Sequence, residues 1–257
     1  MEPVSPENEQ PPSSAEARAG GPGYGRLHEL FRGSTSADEG APAAVARACV
    51  DLMDVTGASV SLYGGPDVRT VWWSSDPVAR QLAEAQFTLG DGPCRTVMEQ
   101  GGPVFAADLE HGVDAGRWPL FARQAADLGV EAVFCLPLAT AAESIPIGTL
   151  DLYRNSPGPL SERDQAFAFP AADAITTALL ALQTQDPGVG TDLDGSWLNA
   201  AETDHEEVHQ ATGMIMVHLG VDPPDALARL RAHAFSHGKS VTDAAFDVIA
   251  GRIRFHD

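Results

Sequence analysis

The side chains here that could do chemistry fall in two places along 257 residues. The first is Cys94, at the end of the run Leu89-Gly90-Asp91-Gly92-Pro93-Cys94 and just before a helical stretch. The positive end of a helix favours a thiolate, so a redox or ligand-contact role for Cys94 stands beside a packing role. Cys49 and Cys135 lie 45 and 41 positions away, on an apolar helix face and an apolar strand. Free cysteine behaves as a small hydrophobe, and both read as core residues. With no CxxC spacing, the three cysteines argue against a disulfide framework and against a zinc site.

The second place is the C-terminal end. Residues 196–257 hold five permanent cations, Arg229, Arg231, Lys239, Arg252 and Arg254, and six of the eight histidines. Lys239 is the only lysine in the chain. The formal net charge is −20, which opposes binding to a polyanion at long range. That charge is unevenly spread. Residues 1–195 carry 27 acidic and 11 basic side chains, whereas the segment after Val208 carries five of each. Histidines titrate near neutral pH and add positive charge when protonated, although on helices most read as surface polar residues.

The elements that must position these groups follow from spacing and punctuation. Near the C-terminus the spacing predicts three short helices. One ends at Leu219 before Gly220; one opens at Asp222-Pro223-Pro224-Asp225 and stops at Gly238; one begins near Ser240 with Asp243 as a capping box. Their apolar positions include Val208, Ala211, Ile215, Leu219, Ala226, Leu227, Leu230, Ala234, Ala245, Val248 and Ile249. None would fold alone, and three together make a small bundle. A helix from Ser196 runs into the first of them, or a fresh start at Thr203 with Glu206 precedes it.

Upstream, residues 1–22 are rich in Pro, Glu, Ser and Gly and read as a disordered tail. Helical spacing covers Ala41–Val55, Asp76–Phe87, Trp118–Leu128 and Ser161–Leu182. Strand signals cover Ala58–Tyr63, Val68–Ser74, Val104–Ala107, Glu131–Leu138 and Ile147–Tyr153, with a hairpin at Gly64-Gly65-Pro66. Alternation would place one of Trp72 and Trp73 inward and the other outward. Pro170 should kink the last helix. Its apolar stripe, Ala171, Ala174, Ile175, Ala178, Leu179 and Leu182, is wide enough to suggest a dimer surface. The order implies an α+β domain, an antiparallel sheet with helices on one face, over residues 23–185. Residues 186–195 read as a linker and 196–257 as the all-α three-helix bundle.

Two resemblances sharpen this. The run Ala211, Gly213, Met216, then Ala226, Leu230, Arg231, Ala234, then Val241 and Ala244, resembles the ANTAR family. That resemblance implies binding of RNA, as paired hairpin loops in leader transcripts, by a homodimeric transcription antitermination regulator. Where the family often has Lys or Arg, this chain has Thr212. The run Gly90-Asp91-Gly92-Pro93-Cys94, with Arg117-Trp118-Pro119, Phe121 and Gly148-x-Leu150-x-Leu152-Tyr153, is similar to GAF domains of actinobacterial GAF–ANTAR regulators. It implies a GAF sensor domain for a small molecule or redox signal, with Cys94 and Trp118 as candidate ligand contacts and the ligand itself unnamed.

The candidate RNA contacts are Thr212, Gly213, Arg229, Arg231 and Lys239. Small residues let a nucleic-acid backbone approach, while helix packing is the other reading of Gly213. Some GAF domains bind haem, which makes His111 a conceivable ligand, but in the loop Leu109-Glu110-His111-Gly112 it reads as an exposed turn residue. No Walker loop, GxSxG or HExxH occurs, so nucleotide hydrolysis and protease chemistry have no support. No apolar run of membrane length and no signal peptide is visible, and a cytoplasmic location is expected. Two other functions remain open: a GAF-type redox enzyme using Cys94, and a protein-interaction regulator that has lost RNA binding.

Overall fold

A computed structural model describes residues 40–65, 68–139, 146–184 and 205–255. The expected tail at 1–22, the linker at 186–195 and the stretch 196–204 lie outside the described residues. Among the described residues the order is α1 (Gly40–Leu52), β1 (Gly57–Gly65), β2 (Val68–Ser74), α2 (Pro77–Leu89), α3 (Pro93–Gln100), β3 (Val104–Ala106), α4 (Gly112–Arg117), α5 (Pro119–Asp127), β4 (Ala132–Leu138), β5 (Gly148–Arg154), α6 (Glu162–Thr184), α7 (Glu206–Leu219), α8 (Pro223–Ser236) and α9 (Val241–Ile249).

The five strands form one antiparallel sheet in the order β2-β1-β5-β4-β3. Helices cover both of its faces, not one. Ala58, Val60, Leu62, Phe134, Leu136, Leu150 and Leu152 pack under α1 and α6. Val133, Cys135 and Tyr153, the opposite-facing positions, pack with α2, α3 and α5. The sequence carries the reason: β4 and β5 are buried along nearly their whole length, so each pleated face needs its own cover. The helix expected to follow Cys94 is α3, which starts at Pro93 and so takes Cys94 into its first turn.

Trp72 and Trp73 do not alternate. Val60 pairs with Trp73 and Ser61 with Val71, which leaves Trp72 as the extra residue of a β-bulge. Both rings are half-buried against the same core. Four residues of the α6 apolar stripe are not a free surface. Ala171, Ile175, Ala178 and Leu179 are buried within the chain, where α6 packs on α1 and β4. Pro170 lies inside this helix, as expected.

Local chemistry sets the element ends. Asp76 Oδ1 accepts from the amides of Val78 and Ala79 at 2.8 and 2.9 Å, which starts α2 behind Pro77. Gly90 stops it at φ 63°, a left-handed angle suited to glycine. At Gly148 a side chain is excluded outright, since a Cβ there would sit 2.2 Å from the Ser61 carbonyl oxygen of the paired strand. Asp222 caps α8 by accepting from Asp225 N at 3.0 Å, and Ser240 caps α9 by accepting from Asp243 N at 3.0 Å. The C-terminal helices enclose a core of Val208, Ala211, Ile215, Leu227, Leu230, Val241 and Val248.

Candidate sensor and RNA-binding sites

The sheet face under α2 and α3 holds a buried polar cluster. Cys135 and Asp151 are direct partners in the β4–β5 register, both turned toward that face. The N-terminal turn of α3 brings in Cys94. Its thiol donates to Asp151 Oδ2 at 2.9 Å and lies 3.9 Å from Cys135 Sγ. From β2, Arg69 places Nη2 3.4 Å from Asp151 Oδ2, 3.6 Å from Cys94 Sγ and 2.7 Å from Ser61 Oγ. Its Nη1 donates to the Ala83 carbonyl of α2 at 2.6 Å, and the guanidinium sits 5.6 Å from the Tyr63 ring centre.

All of these chemical groups are in a low-dielectric interior. Burial alone would disfavour the charge of Arg69, but Tyr63, Cys94 and Asp151 around it outweigh that and hold it protonated. Burial pushes the Cys135 thiol well above its ordinary range, and the neighbouring Cys94 and Asp151 push it the same way. Cys49, far from any partner charge, is pushed up to about 12 by burial. Among the described residues, Arg69 Nε and Asp151 Oδ1 of this cluster, and Thr149 Oγ1 on the same strand as Asp151, are buried without a hydrogen-bond partner. Such orphans are costly, and they mark a place where a water or a small polar ligand would be held.

Cys94, Cys135 and Asp151 also have the spacing of metal ligands, their donor atoms all lying within 4.8 Å of one another. The charge balance does not favour a cation there. Asp151 is already paired with Arg69, and a guanidinium 3.6 Å from Cys94 Sγ repels a second positive ion.

Sequence reading picked out Cys94 but missed its partners. Forty-one positions separate it from Cys135, and only the register of β4 on β5 brings them together. A signal was present nonetheless: Arg69 and Asp151 are charges within strand runs, each flanked by β-formers, and buried charges need partners. Trp118 is buried in the same core as Cys94, its Nε1 donating to Thr96 Oγ1 at 3.2 Å and Arg117 lying over its ring at 4.4 Å. His111 precedes α4 with its side chain 73% exposed, as its loop implied.

The C-terminal candidates separate. Thr212 is buried and donates to the Val208 carbonyl at 2.7 Å, so it does not face solvent. Gly213 is exposed, and among the described residues a Cβ there would meet nothing within 4 Å, so their packing does not call for a glycine. Arg229 is exposed. Lys239 Nζ is 2.5 Å from Asp247 Oδ2, and Arg252 Nε is 2.6 Å from Asp247 Oδ1, so one carboxylate engages two of the five cations and leaves the trio a single net positive charge.

Arg231 is held by the other domain. Its Nε donates to the Phe87 carbonyl at 3.1 Å, and its guanidinium lies 5.6 Å from the Phe87 ring centre. Phe87 lies in the last turn of α2 of the sheet domain yet packs into the core of the helical bundle. His205 stacks on it at 4.0 Å, and Thr88 Oγ1 accepts from Val241 N at 3.2 Å. An open cleft of about 540 Å³ lies beside this contact, between Arg95 and Leu120 on one side and Leu227, Arg231 and Phe235 on the other.

Comparison with known proteins fits this anatomy. The GAF domain model matches residues 35–180, more than half of the chain, and the ANTAR domain model matches residues 198–249. No curated protein matches. Among solved structures, the GAF domain of a phosphoenolpyruvate-protein phosphotransferase from Coxiella burnetii is similar at 14% identity, over 63% of this chain and 95% of that one, with a TM-score of 0.49. The corresponding domain from Acinetobacter is 14% identical over 62% and 92%, TM-score 0.45. A GAF domain/HD domain protein from Geobacter sulfurreducens is 12% identical over 55% and 91%, TM-score 0.41. Among the described residues no helix is long and apolar enough to cross a membrane. A sensor-type sheet domain thus precedes an output domain of RNA-binding type, and the chain belongs to the GAF domain family with an ANTAR domain following.

Proposed function

We propose that this protein is a cytoplasmic transcription antitermination regulator. In this reading the ANTAR bundle, acting as a homodimer, binds paired hairpin loops of leader transcripts, and the GAF domain controls it in response to a small molecule or redox signal. The same reading divides the chain into a tail at 1–22, a sensor at 23–185, a linker at 186–195 and an output bundle at 196–257. The observation that carries it is the contact of Arg231 with Phe87. The cation best placed by sequence to read a base is tied to the sensor domain through the last turn of α2. An output side chain held by the sensor is what control of binding requires, since a signal acts by changing the relative stability of two arrangements.

Gly213 and Arg229 are exposed and fit an RNA-facing surface. With few unengaged cations, much of the affinity would come from loop bases and shape, not from phosphates. Cys94 in the buried cluster and Trp118 behind it are the proposed sensor contacts. The test is the RNA that copurifies with the full chain, followed by direct binding to a paired-hairpin RNA at low salt. Enrichment of leader hairpins supports the reading. Absence of binding by both the full chain and Phe87→Leu, which removes the ring beneath Arg231 while keeping the carbonyl it donates to, would sink it and favour a protein-interaction regulator.

A further inference from the structure

We propose that Cys94 and Cys135 form a peroxide-oxidised dithiol switch inside the sensor domain. The two sulfurs are 3.9 Å apart, and a disulfide needs about 2 Å, a closure that side-chain rotation with a small shift of α3 supplies. Cys94 enters from the first turn of an eight-residue helix behind Gly90 and Gly92, both at positive φ, whereas Cys135 is fixed in the middle of the sheet. Cys94 is therefore the attacking thiol and Cys135 the resolving one. Asp151 Oδ2, 2.9 Å from Cys94 Sγ, is placed to take its proton, and Arg69 Nη2, 3.6 Å away, faces the sulfur as its negative charge develops.

The oxidant is a hydroperoxide. The Cys94 sulfur attacks one peroxide oxygen, the O–O bond breaks, and the departing oxygen takes the proton held by Asp151 and leaves as water or alcohol. Cys94 is then a sulfenic acid. The Cys135 sulfur attacks it, the S–O bond breaks, and the hydroxide leaves as water with the Cys135 proton. Two thiols lose two electrons in all, and the peroxide gains them. Both thiols are fully buried, so reaction waits on local opening of the Gly90–Cys94 turn. Burial slows the step without changing its product.

Closure has a route to the output domain. Gln86 Oε1 accepts the Cys94 amide at 2.8 Å, and the next residue of α2, Phe87, is the one seated in the bundle core. This consequence rests on the proposed sensor function; the disulfide itself does not.

The test treats the full chain with hydrogen peroxide without RNA, then counts thiols and maps disulfide-linked peptides. The expected result is loss of two of three thiols, a Cys94–Cys135 linked peptide within one chain, and retention of Cys49. In Cys135→Ser, a sulfenic acid trap should label Cys94 and no intramolecular link should form; circular dichroism checks that the variant folds. Survival of both thiols in excess peroxide, oxidation confined to Cys49, linkage only between chains, or a stoichiometric zinc ion bound in the purified protein would each overturn the proposal. RNA binding is measured separately on reduced and oxidised chain, so its failure touches only the regulatory consequence.

Discussion

Arg231 donates to the Phe87 carbonyl at 3.1 Å, a bond between the α8 face of the bundle and the last turn of a sensor helix. Phe87 is a residue of one domain by sequence and of the other by packing, since it is buried among Val208, Ile215, Leu227 and Val241. Its two contacts can be changed apart. Phe87→Leu keeps most of the volume but removes the ring under the guanidinium and against His205. On the RNA reading it should raise affinity by loosening the hold on Arg231. Arg231→Ala should lower affinity, by roughly 1–3 kcal/mol if the side chain reads a base. Equal and opposite shifts are not required, but shifts of the same sign in RNA titrations would remove Phe87 as a restraint.

Truncating that ring further should be felt in stability. A buried phenylalanine cut to alanine typically costs about 3–5 kcal/mol, transfer and cavity together. Phe87→Ala should therefore unfold the bundle at lower denaturant and leave the GAF core more nearly intact. Hydrogen exchange that reports equal loss of protection in β4 and in α7 would show instead that the two domains unfold as one.

Lys239 now has a different expectation from that of a phosphate contact. Each phosphate neutralised contributes a salt slope of about −0.7 on single strands. Lys239 is held in an ion pair with Asp247 that a phosphate would have to break, so Lys239→Ala should change the slope by less than that. Its effect should appear in acid stability. The Lys239 hydrogen bond, then that of Arg252, holds the Asp247 carboxyl below its ordinary range. With the folded value depressed, this contribution is complete above the usual carboxylate range and is lost as pH falls through the lowered folded value. The Lys239→Ala chain should lose the difference between pH 5 and pH 2 in denaturant titrations; an unchanged acid limb would rule the pair out as a stabilising contact.

Histidine 233 shows why histidine content is a poor guide to charge. Burial first, then His237 stacked at 4.0 Å, then Lys239 all hold its pKa below the ordinary value, with Asp247 opposing. The folded state thus prefers the neutral ring, whose contribution is present above the unfolded pKa, about 6.5, and fades as pH falls below it. Stability should decline from pH 7.5 to 5.5, and His233→Gln should flatten the decline. NMR titration giving His233 an ordinary or raised pKa would contradict this.

Much of the fold was legible in the chain. Asp76-Pro77, Asp222-Pro223 and Ser240 with Asp243 each marked a helix start that local hydrogen bonds make, and the five strand runs fell within a few residues of the observed strands. What was not legible depended on pairs distant in sequence. Helices on both faces follow from which side chains of β4 and β5 are buried, and a run such as Ala132–Leu138 looks the same with one cover or two. The Trp72 bulge depends on the pairing of β1 with β2. The α6 stripe looked like an interface because nothing in Ala171–Leu179 says that α1 already fills it. Arg231 was chosen for its charge and Cys94 for its loop, and in each case the partner lies in a different element: Phe87 144 positions away, Asp151 57 positions away.

The buried ion pair of Arg69 with Asp151 gives the last prediction. Both side chains are almost wholly buried, at 4% and 8% exposure, with 3.4 Å between Nη2 and Oδ2. Removing one partner leaves the other charge uncompensated in a low-dielectric site, which typically costs about 3–5 kcal/mol. Asp151→Ala should therefore lower the melting temperature by roughly 6–20 °C, at about 2–4 °C per kcal/mol for a protein of this size. Replacing both, as Arg69→Met with Asp151→Leu, should recover much of the loss, because two apolar groups need no mutual compensation. The same double variant takes from Cys94 its proton acceptor and its facing cation. It should fold and yet form the Cys94–Cys135 link far more slowly than the wild type at equal peroxide. If the double variant is no more stable than Asp151→Ala, the pair is not what holds this part of the sheet, and the orphaned Thr149 hydroxyl becomes the place to look for a bound ligand.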